Sequence, residues 1–250
     1  MRIRRGIPRI ASASVAAVSA LLVMVLAPRA EAGSGALVFH GASSGKTTLD
    51  EGEGGGNPFA SALIELLGRP PLRLGALPTA LRAATALKSR GHQAADVPTI
   101  DGHDADLSLV PAAPGERRLA LVLVVADYEL SALVSLPGAR RDAERVARAL
   151  RTAGFSTEVA VDRGLARMRE TLAGFRARSR EHDIAVVYAT GHGVEVDGRV
   201  RLLPGDYPSE RGNTALVDRA LPLSEIAAAA AARRINLIFY AGCRDNPFAE

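Results

Sequence analysis

Short apolar runs alternate with amphipathic stretches across residues 117–250. One run, LALVLVVA over 119–126, carries no polar side chain, which is typical of a strand buried on both faces of a sheet. The amphipathic stretches between the runs are long enough for the helices that connect parallel strands. The alternation therefore predicts an α/β fold, with a mostly parallel sheet and helices on both of its faces.

Individual elements can be placed along the chain from the same patterns. In the second half we predict strands over 119–126, 156–161, 184–188 and 235–240, helices over 139–153, 165–178 and 223–233, and a hairpin over 194–203 that turns at Asp197-Gly198. In the first half we predict a strand over 36–39, helices over 58–67 and 77–87, and a cap for the first helix at Asn57. The stretch 99–116 is rich in Asp, Pro and Gly, a linker composition.

Residues 1–32 have the pattern of an export signal. Four arginines within the first nine residues precede an apolar, small-residue stretch over 10–27, and Ala30-Glu31-Ala32 matches an A-x-A cleavage site. We expect cleavage after Ala32 and a secreted or periplasmic protein. The alternative is a retained N-terminal membrane anchor with the rest of the chain outside the cytoplasm, which would be its one contact with a membrane.

Composition excludes several classes of function. The net charge is +4, but the arginines are dispersed among acidic residues and Trp is absent, so the chain lacks the basic, aromatic surface of a nucleic-acid-binding protein. The histidines do not recur at metal-ligand spacing, so we predict no metal site and no cofactor, and a calcium requirement stays open. Residues 41–47 resemble a phosphate-binding loop, but three residues instead of four separate its glycines.

Two predicted parallel strands end in reactive side chains. Strand 184–188 leads into His192, and strand 235–240 leads into Cys243. The carboxyl ends of parallel strands meet at one edge of a sheet, and neighbouring strands lie about 5 Å apart, so the thiol and the imidazole are expected within reach of each other. Histidine can accept the thiol proton, and the Gly193 and Cys243 N–H groups are natural oxyanion donors. Taken singly, each residue also has a structural interpretation, as a small buried side chain or a turn residue.

These motifs resemble those of caspase-like cysteine peptidases (clan CD, peptidase C14 type), in particular the bacterial relatives of metacaspases. The resemblance covers 117–250 and is carried by VVADYELSALVSLPGARRDAERVARALRTAGF, YATGHGVEVDGRVRLLPGDYP and INLIFYAGCRDNPF, with the histidine about 50 residues before the cysteine. It implies a caspase-like three-layer sandwich and a peptide or protein substrate. It also implies Cys243 as nucleophile, His192 as general base, Gly193 as oxyanion donor, and Asp142 as part of the site for a basic P1 side chain.

One position departs from that family pattern. Metacaspase-like proteins usually carry an acidic residue two positions before the cysteine, where this chain has Ala241. The departure weakens the expectation of a basic P1 residue. It also keeps open a catalytically silent binding or regulatory module, or a truncated homologue, as alternatives to an active cysteine endopeptidase.

Residues 33–100 resemble the small-subunit region of the same family, placed before the large-subunit region. The resemblance is carried by LVFHGASSGKTTLDEGEGGGNPFASALIELL. The alternative is a degenerate first copy of a tandem repeat, since LVFHGAS aligns with LIFYAGC and sets Ser43 opposite Cys243. The predicted organisation is a signal over 1–32, a small-subunit-like region over 33–100, a linker over 101–116 and a catalytic region over 117–250. Because further strands usually follow the nucleophile, we expect 33–100 to supply them.

Overall fold

The computed structural model describes residues 35–129, 133–161, 164–208 and 218–245. The export signal predicted for residues 1–32 lies outside the described residues. Within those four ranges, no helix has the length and apolar character needed to cross a membrane.

A five-stranded parallel sheet is the centre of the described structure. In chain order the elements are β1 (Leu37–His40), α1 (Pro58–Leu67), β2 (Leu72–Arg73), α2 (Leu77–Lys88), β3 (Ser108–Val110), β4 (Arg118–Val124), α3 (Pro137–Thr152), β5 (Ser156–Val161), α4 (Leu165–Ser179), β6 (Ile184–Thr190), β7 (Gly193–Val196), β8 (Arg199–Leu202), β9 (Leu221–Pro222), α5 (Leu223–Ala229) and β10 (Ile235–Tyr240). The strand order in the sheet is β1-β10-β6-β4-β5, and every pair is parallel. The predicted α/β class with a parallel sheet is confirmed.

Helices cover both faces of this sheet and bury a separate core on each. In β4, Ala120 and Val122 pack in the core that includes α1 and α3, whereas Leu121 and Leu123 pack in the core that includes α4 and α5. All seven residues of β4 are buried, as its continuous apolar run predicts. The result is the predicted three-layer arrangement.

The first half of the chain contributes a strand to the sheet. β1 lies beside β10 in parallel register, from Leu37 opposite Leu237 to His40 opposite Tyr240. The strand that leads to Cys243 is therefore covered on both edges, by β1 and by β6. Residues 33–100 thus supply one strand to this sheet. Its register with β10 is the same as the alignment of LVFH with LIFY in the sequence.

Two local predictions, a helix cap and a hairpin turn, are confirmed by the structure. The Asn57 side chain accepts a hydrogen bond from the Phe59 N–H at 2.8 Å and so caps α1. Asp197 and Gly198 join β7 to β8 with φ angles of 52° and 72°, the positive pair that a type I′ hairpin turn requires.

Two other regions differ from the sequence prediction. The helix predicted over 223–233 ends at Ala229, because the Ser179 hydroxyl takes over the next backbone groups, donating to Ala229 O and accepting from Ala231 N. The stretch expected to be a linker, 101–116, contains β3, which pairs with β2 and buries Leu109.

Candidate active site

The two reactive side chains of the sequence analysis follow adjacent strands. β6 and β10 pair directly, and His192 and Cys243 come after them at the same edge of the sheet. The loops that carry them touch at Gly193: a Cβ there would overlap Tyr240 Oη and lie 2.6 Å from Cys243 O. The close approach of the two loops thus requires glycine at this position.

His192 is fixed by three contacts with the segment that follows β4. Its backbone N–H donates to Tyr128 Oη at 2.6 Å, and its ring lies 4.9 Å from the Tyr128 ring between centroids. Its Nε2 lies 2.8 Å from Val134 O. A carbonyl oxygen only accepts hydrogen bonds, so Nε2 carries the proton, and the neutral imidazole has its lone pair on Nδ1. Nδ1 is therefore the nitrogen that can act as a base.

The Cys243 thiol is half-buried and contacts the first half of the chain. Its Sγ accepts a hydrogen bond from the Thr48 N–H at 3.3 Å and lies 3.5 Å from Thr48 Oγ1. Over the residues that the structure describes, the thiol's hydrogen bonds go to Thr48 and none joins it to His192. The Cys243 N–H donates to no described residue, which leaves it available to an oxyanion.

Arg244 holds the loop that carries the cysteine. Its side chain is almost fully buried, and it donates to Glu195 Oε2 and to Asp96 Oδ2, each at 2.8 Å. Its backbone N–H donates to Lys46 O, and its carbonyl accepts from the Gly45 N–H. The loops after β1 and β10 and strand β7 are therefore tied together around the thiol.

The same arginine affects a half-buried histidine nearby. His40 ends β1, and its pKa is lowered from 6.5 to about 4, first by burial and then by the positive charge of Arg244. His40 is thus neutral at physiological pH and contributes no charge to the site.

Asp142, expected near the P1 site, is fully buried on α3. Its carboxylate accepts from the Asn57 N–H at 2.8 Å and pairs with Arg145 Nη1 at 2.6 Å. Burial raises its pKa from 3.8 to about 6, while Asn57 and Arg145 lower it by a smaller amount. Gly56 lies so close that a Cβ would overlap the carboxylate. At the other expected position, Ala241 is buried and offers no charge.

The loop between β1 and α1, residues 41–57, crosses the edge of the sheet where these groups meet. Thr48 contacts the thiol, Asn57 contacts Asp142, and Asp50 accepts hydrogen bonds from the first N–H groups of α3, Gly138 at 2.7 Å and Ala139 at 2.8 Å. We call this segment the β1–α1 loop. It joins the nucleophile, the α3 terminus and the buried carboxylate.

Several of these residues were not identified by sequence reasoning. Tyr128 and Val134 hold the histidine, and Thr48 holds the thiol, yet none belongs to a charged or periodic pattern. Thr48 and Cys243 are 195 residues apart in the chain. The Asn57 cap was predicted, but its backbone contact with Asp142 was not.

The described part of the site has no cluster suited to a metal. Among the described residues, no group of three or more His, Cys, Asp or Glu side chains could hold a metal ion. The described groups that meet here are a thiol, an imidazole and backbone N–H donors.

Comparison with known proteins assigns a family to the part of the chain that carries these groups. The family model Peptidase_C14, described as the caspase domain, matches residues 117–246, more than half of the 250-residue chain. The match includes Asp142, His192, Gly193 and Cys243 and excludes the β1–α1 loop. A search of curated proteins found no match to the chain.

Proposed function

Since the chain belongs to the caspase-domain family of cysteine peptidases, we propose that it is an endopeptidase in which Cys243 and His192 hydrolyse peptide bonds through an acyl-enzyme. The substrate is a peptide or protein. The observation that carries the proposal is the placement of His192 and Cys243 after neighbouring strands, with the histidine tautomer set by Val134.

The reaction uses groups that this site already holds. His192 Nδ1 takes the thiol proton, and the Cys243 thiolate attacks the substrate carbonyl carbon. The oxygen of the tetrahedral intermediate accepts hydrogen bonds from the Cys243 and Gly193 N–H groups. His192 returns the proton to the leaving amine, and a thioester remains on Cys243. Water, deprotonated by the same imidazole, then attacks the thioester and releases the acid and the thiol.

Contacts around the histidine support its role as a base. The Val134 carbonyl holds Nε2–H at 2.8 Å and stabilises the imidazolium that forms when Nδ1 is protonated. Tyr128 restricts the ring from one side, so the imidazole is oriented before a substrate arrives.

For the P1 side chain, we propose Asp142 as an indirect determinant. Its carboxylate already pairs with Arg145 and accepts a hydrogen bond from the Asn57 N–H, so a basic P1 side chain would have to displace Arg145. Ala241 adds no second carboxylate. We therefore expect Arg and Lys at P1 to be favoured only weakly over small neutral residues.

Turnover of a peptide library by the full-length chain tests the proposal. Cys243→Ala and His192→Ala should each lower kcat/KM by at least about a thousandfold, since both groups act in the chemical step. Ser43→Ala is the matched control, because Ser43 occupies the corresponding place after β1 and should leave turnover unchanged. Turnover that survives in Cys243→Ala would refute the assignment.

A catalytically silent peptide-binding module is the second candidate. It is favoured by the pairing of Asp142 with Arg145 and by a thiol that bonds to Thr48 and not to His192. It predicts that peptides bind to the folded chain with no Cys243-dependent cleavage. Calorimetry with a peptide that the chain fails to cut would distinguish it from the peptidase.

A further inference from the structure

The β1–α1 loop places a hydroxyl group between two acceptors at the nucleophile. Thr48 Oγ1 lies 3.2 Å from Ala241 O and 3.5 Å from Cys243 Sγ, and the Thr48 N–H points at the same sulfur from 3.3 Å. A hydroxyl has one proton and therefore donates to one of these two acceptors at a time.

The choice between the acceptors depends on the state of the sulfur. A neutral thiol can donate its own proton to Thr48 Oγ1, while the hydroxyl donates to Ala241 O. A thiolate has no proton and is a charged acceptor, so the hydroxyl gains more by turning to the sulfur, since hydrogen bonds to charged groups are about twice as strong as neutral ones.

The Ala241 carbonyl keeps a partner when the hydroxyl turns away. Asn57 Nδ2 lies 3.3 Å from the same oxygen, so the rotation leaves no buried acceptor without a donor. The thiolate then accepts two hydrogen bonds from Thr48, one from its N–H and one from its hydroxyl.

The loop that presents Thr48 is held firmly enough for this role. Next to it, the Leu49 N–H donates to Gln93 Oε1 and the Leu49 carbonyl accepts from Asn57 Nδ2, each at 2.9 Å. Gln93 is itself buried and donates to Gly41 O at 3.0 Å. The backbone that presents Thr48 is thus held in place, and the change of acceptor requires only that the hydroxyl proton turn.

We propose that Thr48 is a positioning residue for the nucleophile, whose hydroxyl turns from the Ala241 carbonyl to the Cys243 sulfur when the thiolate forms. The proposal rests on Cys243 being the nucleophile of the proposed peptidase and adds a contribution from outside the matched caspase domain. During ionisation the sulfur proton passes to His192 Nδ1 or to water, and no bond of Thr48 forms or breaks apart from its hydrogen bonds.

Alkylation of the full-length chain by iodoacetamide tests the proposal without any need for turnover. The chain has a single cysteine, so the adduct seen by intact mass reports Cys243 alone, with iodide as leaving group. The rate is measured from pH 5 to pH 10 for wild type, Thr48→Val, Thr48→Ser and the control Thr47→Val, whose side chain is exposed in the same loop.

Thr48→Val keeps the shape of the side chain and the N–H but removes the hydroxyl. We expect it to move the midpoint of the rate profile upward by about 0.5–1 pH unit, the equivalent of one hydrogen bond. The limiting rate at high pH should rise by no more than about threefold, because a thiolate with fewer hydrogen bonds is a slightly better nucleophile. Thr48→Ser and Thr47→Val should keep the wild-type midpoint. A purely structural role would change the limiting rate in Thr48→Val and leave its midpoint in place.

Either a wild-type midpoint in Thr48→Val or an equal shift in Thr48→Val and Thr48→Ser overturns the proposal. Circular dichroism establishes that each variant is folded, and Thr48→Ala gives the same comparison if the valine variant is not. If the chain cleaves no peptide but Thr48→Val still shifts the midpoint of the alkylation rate, the proposed peptidase is contradicted. The proposed role of Thr48 toward the Cys243 thiolate is then still supported.

Discussion

Replacing Asp142 by Asn should remove a pH dependence of stability that the buried carboxylate imposes. The pKa of Asp142 is raised from 3.8 to about 6, chiefly by burial. Between these values the folded chain keeps a proton that the unfolded chain has lost. The protonated carboxyl of Asp142 therefore gives the folded protein its full stabilisation below pH 3.8, and this stabilisation is lost as the pH rises through 6.

The size of the effect follows from the difference between the two pKa values. A difference of about two pH units corresponds to roughly 3 kcal/mol, at about 1.4 kcal/mol per unit. Asp142→Asn cannot ionise and fills nearly the same volume. Because about 0.5 kcal/mol is already lost at pH 4, wild type should lose about 2.5 kcal/mol of unfolding free energy relative to the variant between pH 4 and pH 7.

Urea denaturation of both full-length proteins at pH 4, 5, 6 and 7 measures this difference. His40 acts in the opposite direction, because its lowered pKa of about 4 costs stability as the pH falls below 6.5. It is present in both proteins and cancels in the comparison. Glu144→Gln is the matched control, since Glu144 lies on the same helix with its side chain 69% exposed, and it should reproduce the wild-type profile.

A difference between wild type and Asp142→Asn that stays constant with pH would mean that folding does not raise the pKa of Asp142. So would a difference that changes in favour of wild type as the pH rises. Either result would mean that the pairing with Arg145 outweighs burial and that the carboxylate is charged in the folded protein well below pH 6.

Two further predictions concern contacts at the same edge of the sheet. Gly193→Ala should lower kcat/KM by at least about a hundredfold, because its Cβ would overlap Tyr240 Oη and push the histidine and cysteine loops apart, and peptide turnover measures the loss. Asp50→Ala should lower the free energy of unfolding by about 1 kcal/mol, because it removes the acceptor for two N–H groups at the start of α3. Urea denaturation at pH 7 measures this change, and an unchanged free energy of unfolding would mean that Asp50 does not stabilise α3.

Much of the fold was predictable because its elements are encoded locally. The run at β4 has no polar residue to break it, and the strand is buried throughout. The bounds predicted for α1, β5 and β10 match the structure, and those of α1 are marked by Asn57, Pro58 and Gly68. The Asp-Gly turn between β7 and β8 was predictable as well, because Asp and Gly tolerate the positive φ angles that this turn requires.

What sequence reasoning missed depends on contacts between distant parts of the chain. The end of α5 is set by the Ser179 side chain of α4, which no pattern within 223–233 reveals. The strand β3 was hidden by its Pro- and Gly-rich surroundings, and its burial follows from pairing with β2.

The candidate site shows the same limit. Parallel strand ends predicted that His192 and Cys243 would share one edge, and β6 and β10 are indeed neighbours. The orientation of each side chain is set by loops, with Val134 holding the imidazole and Thr48 holding the thiol. Loop contacts of this kind carry no periodicity, so the sequence predicts which residues meet at the edge but not how they face each other.

Covalent labelling measures whether Cys243 is a nucleophile activated by His192. The full-length chain is treated with peptidyl acyloxymethyl ketones that carry Arg, Lys, Asp or a small residue at P1, with and without calcium, and read by intact mass. We predict one adduct on Cys243 that is lost in His192→Ala, with little preference for a basic P1. A folded protein that forms no adduct with any of these reagents, with or without calcium, would show that Cys243 is not an activated nucleophile.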